Sequence, residues 1–288
     1  MSSAWMLVAG MSFALMGVWV KYAAQWFSSQ ELVFYRSAFG LLVVLSGLAV
    51  HGGLKGMRGV FGPHLGLHLR RGLVGFAALA TFFHSLTLLP MSVAVTLNYT
   101  SPLFLALLMP FTLKEPIGPA QYAAVGLGFL GVALLLRPWE AEGDLVAGLI
   151  GLTSGFLAGL AYVHVRALGR LNEPEWRTVF WFAAVSSLGG ALFASLRGWQ
   201  PEVLPHADLL LVLGLTATLG QLAMTRAYRK GQTAVVAAFS FSTVVFGSLL
   251  DVLIWNEAIP ATAWAGITIT VVAGIWAAIL NMRMEKTT

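Results

Sequence analysis

The sequence predicts an all-α integral membrane protein of ten transmembrane helices, arranged as two inverted five-helix repeats. Three observations lead there. The chain of 288 residues is 58% hydrophobic and 10% charged, with a mean hydropathy of +0.81, whereas soluble domains run near 45–50% apolar and about 25% charged. Its basic residues cluster in short loops between apolar runs, on one side of the expected membrane. A polar pentapeptide in the middle of one apolar run has a counterpart about 141 residues later in another.

In chain order the apolar runs are Ala4 to Ala23, Leu32 to Val50, Leu69 to Leu89, Met91 to Leu113, Ala120 to Leu136, Leu145 to Val165, Val179 to Leu196, Asp208 to Tyr228, Thr233 to Trp255 and Ala261 to Leu280. Each is near the ~20 residues that a helix needs to cross hydrocarbon. Leu89-Pro90-Met91-Ser92 separates the third from the fourth as a turn. Met1 to Met6 has no Lys or Arg and the first run is too long for a signal-peptide core, so an uncleaved first helix is expected.

With the N-terminus cytoplasmic, thirteen of the 17 basic residues fall on the inner side: Lys55, Arg58, Arg70, Arg71, Lys114, Arg166, Arg170, Arg177, Arg226, Arg229, Lys230, Arg283 and Lys286. Lys21, Arg137 and Arg197 fall outside, and Arg36 lies within a span. This asymmetry places both termini in the cytoplasm of a multi-pass inner-membrane protein. The charge of +5 is thereby topological, and no nucleic-acid partner is expected.

Asn98-Tyr99-Thr100-Ser101-Pro102 interrupts the fourth run. Pro102 has no N–H and clashes with the carbonyl of Asn98, which frees an acceptor where lipid offers no donor. Such a segment belongs beside a protein-lined cavity. Its counterpart is Phe239-Ser240-Phe241-Ser242-Thr243 in the ninth run, and Val95/Val236, Ser101/Ser242 and Leu108/Leu249 are identical in the superposed runs. Each run ends in an acidic residue, Glu115 or Glu257, ahead of a Gly-rich helix, and a one-residue slip aligns Tyr122 with Trp264. Copies five spans apart enter the membrane from opposite sides, so residues 1–140 and 141–288 are expected to be inverted repeats.

Leu88-Leu89-Pro90-Met91, Lys114-Glu115-Pro116 and the Gly126 to Leu136 helix resemble the EamA domain of the drug/metabolite transporter superfamily. The second copy, Leu219-Gly220-Gln221 through Arg226-Ala227-Tyr228-Arg229-Lys230-Gly231 to Trp255-Asn256-Glu257, resembles it more closely. The resemblance covers essentially the whole chain. It implies ten helices in two inverted halves, a central solute cavity and alternating access. It leaves the solute open among amino acids, nucleotide derivatives, vitamins and other metabolites, carriers of riboflavin or S-adenosylmethionine included.

Charged groups inside spans cost at least roughly 2.5–3.5 kcal/mol each, so Arg36 and Asp251 require a role. At about 1.5 Å per residue they lie roughly 8 Å inside Glu31 and roughly 9 Å inside Glu257. They are expected to share an outer vestibule with His84, holding a zwitterionic solute. The competing reading is a static Arg36–Asp251 pair. Asp251 and His84 are the candidate coupling groups, His84 because imidazole titrates near neutrality. For the cavity wall the candidates are Asn98, Tyr99 and Thr100, Ser240, Phe241 and Ser242, and Gln221, with Trp19, Tyr162 and Phe241 as stacking surfaces.

His164 with Arg166 marks an inner helix end. His64 and His68 have the spacing of a metal pair but no third ligand nearby, so neither metal nor cofactor is expected. Gly151, Gly155 and Gly159, Ala124 with Gly128, and Gly266 with Gly274 are small-residue faces for close helix contact. Asn98-Tyr99-Thr100 spells a glycosylation sequon that no glycosyltransferase reaches mid-span, and Gly126 to Gly131 matches GxGxxG inside an apolar helix, away from any strand.

No HExxH, GxSxG or P-loop occurs, and there is no cysteine for thiol chemistry, so an enzyme is not expected. The sequence thus points to a secondary active transporter of a small organic solute, an amino acid or related zwitterionic or amphipathic metabolite. The alternatives are a vitamin or nucleotide-like cargo, a channel, or a membrane scaffold. The expected partners are the solute and the lipid bilayer, with a homodimer left open.

Overall fold

The computed structural model describes residues 2–112, 118–136, 145–201, 203–230, 236, 239–256 and 260–285. Among them all regular structure is helical and no strand occurs. After a 3₁₀ turn at Ser2–Ala4 come α1 (Trp5–Ala23), α2 (Ser29–Arg58), α3 (Leu65–Leu88), α4 (Met91–Asn98), α5 (Ser101–Thr112) and α6 (Pro119–Leu136). Then follow α7 (Leu145–Arg170), α8 (Glu175–Arg197), α9 (Ala207–Lys230), α10 (Ser242–Trp255) and α11 (Ala261–Glu285). Each expected span overlaps one of these helices, the fourth being divided between α4 and α5. Seven stretches are long and apolar enough to cross a bilayer, and three shorter apolar helices lie at Tyr122–Val132, Ser242–Trp255 and Ala261–Trp276. The chain is a multi-pass membrane protein. Lys114, Glu115, Pro116, Arg137, Glu257 and Lys286 lie outside the described residues.

Polarity is distributed as lipid requires. Leu42, Leu73, Val146, Leu188 and Leu253 face outward, while Glu31, Arg36, His68, Arg71 and Asp251 are buried. Helix ends follow local chemistry. Ser28 and Glu31 form a capping box at the start of α2: the Ser28 N–H donates to Glu31 Oε2 at 2.8 Å and the Glu31 N–H to Ser28 Oγ at 3.3 Å. Glu31 Oε1 also accepts the Gln200 N–H at 2.7 Å, which ties α2 to the α8–α9 connection. Asn256, at φ 52°, closes α10 in the left-handed region that asparagine tolerates.

The interruption falls where Pro102 puts it. α4 ends at Asn98 and α5 begins at Ser101. Thr100 Oγ1 donates to the Leu97 carbonyl at 2.6 Å, and the Thr100 carbonyl receives the N–H groups of Leu103 and Phe104. In the second half the Phe241 carbonyl receives the N–H groups of Val244 and Val245 in the same way, at the positions that the sequence shift makes equivalent.

The helices pair most extensively as α1 with α9, α3 with α7, α2 with α8 and α6 with α11. Glycine sets one of these contacts, α6 with α11, and also that of α7 with α4 and α5. A Cβ on Gly155 would meet the Leu97 carbonyl and Thr100 Oγ1, and one on Gly159 would lie 2.8 Å from the Ser101 carbonyl, so α7 runs directly along the α4–α5 interruption. Gly131 brings α6 against the Gly266 carbonyl and Thr270 of α11. Gly155→Ala is therefore expected to destabilise the protein by about 1–3 kcal/mol, because backbone atoms cannot yield to the new methyl. Gly126→Ala, with nothing within 4 Å, is expected to leave stability unchanged or slightly higher. Thermal unfolding in detergent compares the two.

Candidate functional site

A cavity of about 90 Å³ lies at the centre of the bundle, reached by α1, α2, α3, α4, α7, α8, α9 and α10. Its apolar wall includes Phe13, Met16, Leu79, Phe82 and Phe182, and its polar wall Arg36, Arg71, Asn98, Tyr99, Tyr162, Gln221 and Thr243. Asn98 is positioned by the interruption: its Nδ2 donates to Ser154 Oγ at 3.0 Å, and Ser154 Oγ donates to the Gly151 carbonyl at 2.6 Å. The same α7 face that packs the broken helix thereby orients an amide at the cavity.

Arg36 and Arg71 dominate the electrostatics. They are only 6% and 3% exposed, and both guanidinium groups lie over the Phe182 ring, at 5.6 Å and 4.4 Å from its centroid. Arg71 folds back over Gly75, where a Cβ would collide with Nη1. Arg36 Nε and Arg71 Nε and Nη1 have no hydrogen-bond partner among the described residues.

A second pocket, of about 340 Å³, occupies the end of the bundle that carries Arg166 and Arg170, with Glu173, Glu175 and Thr225 in its wall. Tyr162 lines both spaces, which makes it the residue between them. Beside this pocket His68 Nε2 donates to Glu173 Oε2 at 3.1 Å, Arg177 Nη1 binds the same oxygen, and Arg177 Nε donates to the Gly59 carbonyl at 2.7 Å. One carboxylate so links α3 and α8 with the α2–α3 and α7–α8 loops. Burial pushes the Glu173 carboxyl up, but the bonds from His68 and Arg177 and the Arg177 charge hold it below the usual glutamate range.

The opposite end is tied shut through Asp251. Its Oδ2 accepts the Ser92 N–H in the first turn of α4 at 2.6 Å, and its Oδ1 lies 3.5 Å from Lys21 Nζ. Lys21 Nζ in turn stands 4.5 Å from the centre of the Trp255 ring, which packs on Tyr22 at 5.5 Å. The pocket at this end, beside Lys21, Gln25 and Pro90, shares no lining residue with the central cavity.

Of the residues expected at a site, Arg36, Asn98, Tyr99, Tyr162 and Gln221 meet around one cavity. The vestibule of Arg36, Asp251 and His84 does not form, and neither does the Arg36–Asp251 pair. Asp251 is claimed by Lys21 and the α4 N-terminus, and His84, half-buried on α3, is not among the cavity residues. Equal depth along a helix says nothing about the azimuth at which a side chain leaves it. The same reason separates Tyr99 from Thr100, which is turned about 100° onward to meet Gly155 of α7. Phe241 points at Gly274 of α11, Ser242 faces Gly10 of α1, and Ser240 is buried away from the cavity, which Thr243 lines in their place. Trp19 joins Tyr22 at the tied end. Arg71 escaped sequence reasoning because it opens a span beside Arg70 and reads as a loop charge; Gly75, one turn on, was the available signal.

Asp251→Ala removes a charge-assisted bond to a helix N-terminus and is expected to cost about 2 kcal/mol of stability, read by thermal unfolding. The stabilisation that Glu173 supplies is fully present above its unfolded pKa of about 4.3 and is lost as pH falls through its lower folded value. Unfolding temperature is therefore expected to drop below pH 4 in the wild-type protein, with a shallower pH dependence in Glu173→Gln.

Comparison with known proteins agrees with this architecture. The model of the EamA-like transporter family matches residues 1–137 and again 145–279. The pseudopaline exporter CntI of Pseudomonas aeruginosa (strain UCBPP-PA14) is 30% identical over 269 residues, covering 93% of each chain. A riboflavin transporter of Rhizobium johnstonii is 28% identical, over 98% of this chain and 92% of its own. An S-adenosylmethionine uptake transporter of Rickettsia bellii is 22% identical, over 88% of this chain and 84% of its own. A solved crystal structure with 21% identity superposes with a TM-score of 0.68, over 98% of this chain and 99% of that one, which shows a shared fold. These names are those of transporters rather than enzymes. Matched twice along its length, the chain belongs to the EamA-like transporter family.

Proposed function

We propose that the protein is a secondary active transporter that moves a small organic metabolite across the cytoplasmic membrane by alternating access. The observation that carries this reading is the central cavity, which draws four helices from each half of the chain and shares Tyr162 as a wall with the pocket at one end of the bundle. The other end is held by the Lys21–Asp251–Ser92 contacts. The excess of basic residues on that side supports a cytoplasmic open end with both termini beside it, an inward-facing state of an inner-membrane carrier.

The two halves, residues 1–140 and 141–288, act as inverted repeats. Support comes from the double family match and from the helix pairing, in which exchanging the halves turns α1–α9 into α7–α3 and leaves α2–α8 and α6–α11 unchanged. Transport requires the tied end to open while the Tyr162 end closes, and the solute's binding energy must differ between the two states for it to bias their exchange. A metabolite with an acidic group and an amphipathic body fits arginines set in an aromatic wall. The relatives named for pseudopaline, riboflavin and S-adenosylmethionine favour an organic cargo.

The chain contains no cysteine, so a single introduced thiol reports accessibility without background. In proteoliposomes, Thr225→Cys is expected to react with a membrane-impermeant maleimide from the cytoplasmic face, and more slowly once transported solute is present. Counterflow should be saturable for that solute. Labelling indifferent to every solute tried, with no counterflow, would rule out a carrier and leave a scaffold.

A further inference from the structure

We infer that the solute carries two negative charges, and that it binds with its acidic groups between Arg36 and Arg71 in the central cavity. This rests on the transporter reading above and names the substrate class of the same site. The two side chains come from different helices, are more than nine-tenths buried, and converge on one ring, Phe182. Neither forms an ion pair with a carboxylate among the described residues, although three of their N–H-bearing atoms have no partner. Arginine keeps its proton inside proteins, so two positive charges face this cavity with no carboxylate partner among the described residues. Buried charges are otherwise paired, and two like charges on one ring oppose each other's burial. A folded chain tolerates that arrangement when a ligand supplies the counter-charge.

Three buried acidic side chains are committed elsewhere. Glu31 caps α2, Asp251 holds Lys21 and the α4 N-terminus, and Glu173 holds His68 and Arg177. The amine of a simple amino acid would meet no carboxylate in this cavity, whereas two carboxylates, or one phosphate, would meet two planar forks suited to oxyanions. About 90 Å³ is well below the roughly 300–1,000 Å³ of ordinary small-molecule sites, which suits an acidic head group alone. The remainder of the solute extends past Tyr162 into the adjoining 340 Å³ pocket.

Binding and counterflow with purified, reconstituted protein test this, using a panel of dicarboxylates, organic phosphates, monocarboxylate amino acids and uncharged nucleosides or flavins. Dianions are expected to raise the unfolding temperature and to show counterflow, and the dicarboxylate and phosphate arms tell which oxyanion is recognised. Arg36→Gln and Arg71→Gln are each expected to weaken dianion binding by at least about tenfold. Without ligand both variants are expected to melt no lower than wild type, because each removes an unpaired buried charge; a purely structural arginine would lower it. Gly75→Ala, which displaces Arg71 and keeps its charge, is expected to weaken dianion binding as well. Saturable counterflow of amino acids or uncharged solutes that survives both Gln substitutions would overturn the dianion assignment and leave the carrier standing. No dianion-dependent shift or flux in protein that melts cooperatively would also overturn it. The absence of flux for every class would remove the carrier reading with it.

Discussion

A helix interrupted halfway through a bilayer frees carbonyls that lipid cannot satisfy, and the fold depends on how those groups are met. Thr100 answers the Leu97 carbonyl from within the break, and the glycine face of α7 lies against the rest closely enough to exclude lipid. That contact leaves no room for a side chain at residues 155 and 159. The small-residue stripe of α7 and Pro102 at the start of α5 are thus two halves of one device. Ser154, on the same stretch of α7, converts it into a site by holding the Asn98 amide at the cavity.

Charge in the interior follows two rules at once. Asp251 and Glu173 are compensated and placed near the two ends of the bundle, where they tie helices together. Arg36 and Arg71 have no carboxylate partner among the described residues and stand in the middle. Compensated charge holds helices in register, whereas uncompensated charge is held ready for something that arrives. An aromatic ring beneath both guanidinium groups lessens the cost of waiting without neutralising them.

The ties at the two ends differ in a way that suits a carrier. Asp251 joins α1, α4 and α10 across the two halves, while Glu173 joins α3, α8 and neighbouring loops beside an open pocket. Each is a small set of polar contacts, and at the Asp251 end Val20, Ala23, Leu86, Leu89 and Met91 of the hydrophobic core pack beside them. In low dielectric such contacts are strong when made and cheap to exchange only for equivalent ones.

Hydropathy and proline determined much of this protein by themselves. The apolar runs, the turn at Pro90 and the interruption before Pro102 all follow from local rules: hydrocarbon admits long apolar helices, and proline denies a helix one bond and one carbonyl its place. The glycine spacing of α7 likewise named a contact face in advance, since small residues every fourth position share one side of a helix. The tertiary structure alone decided the partners. Asp251 chose Lys21 over Arg36, Thr243 rather than Phe241 faced the cavity, and Arg71 turned from an apparent loop charge into half of the central pair. Each outcome turns on the azimuth of a helix about its own axis. One residue of rotation moves a side chain by about 100°, and only the packing of all the neighbouring helices fixes that angle.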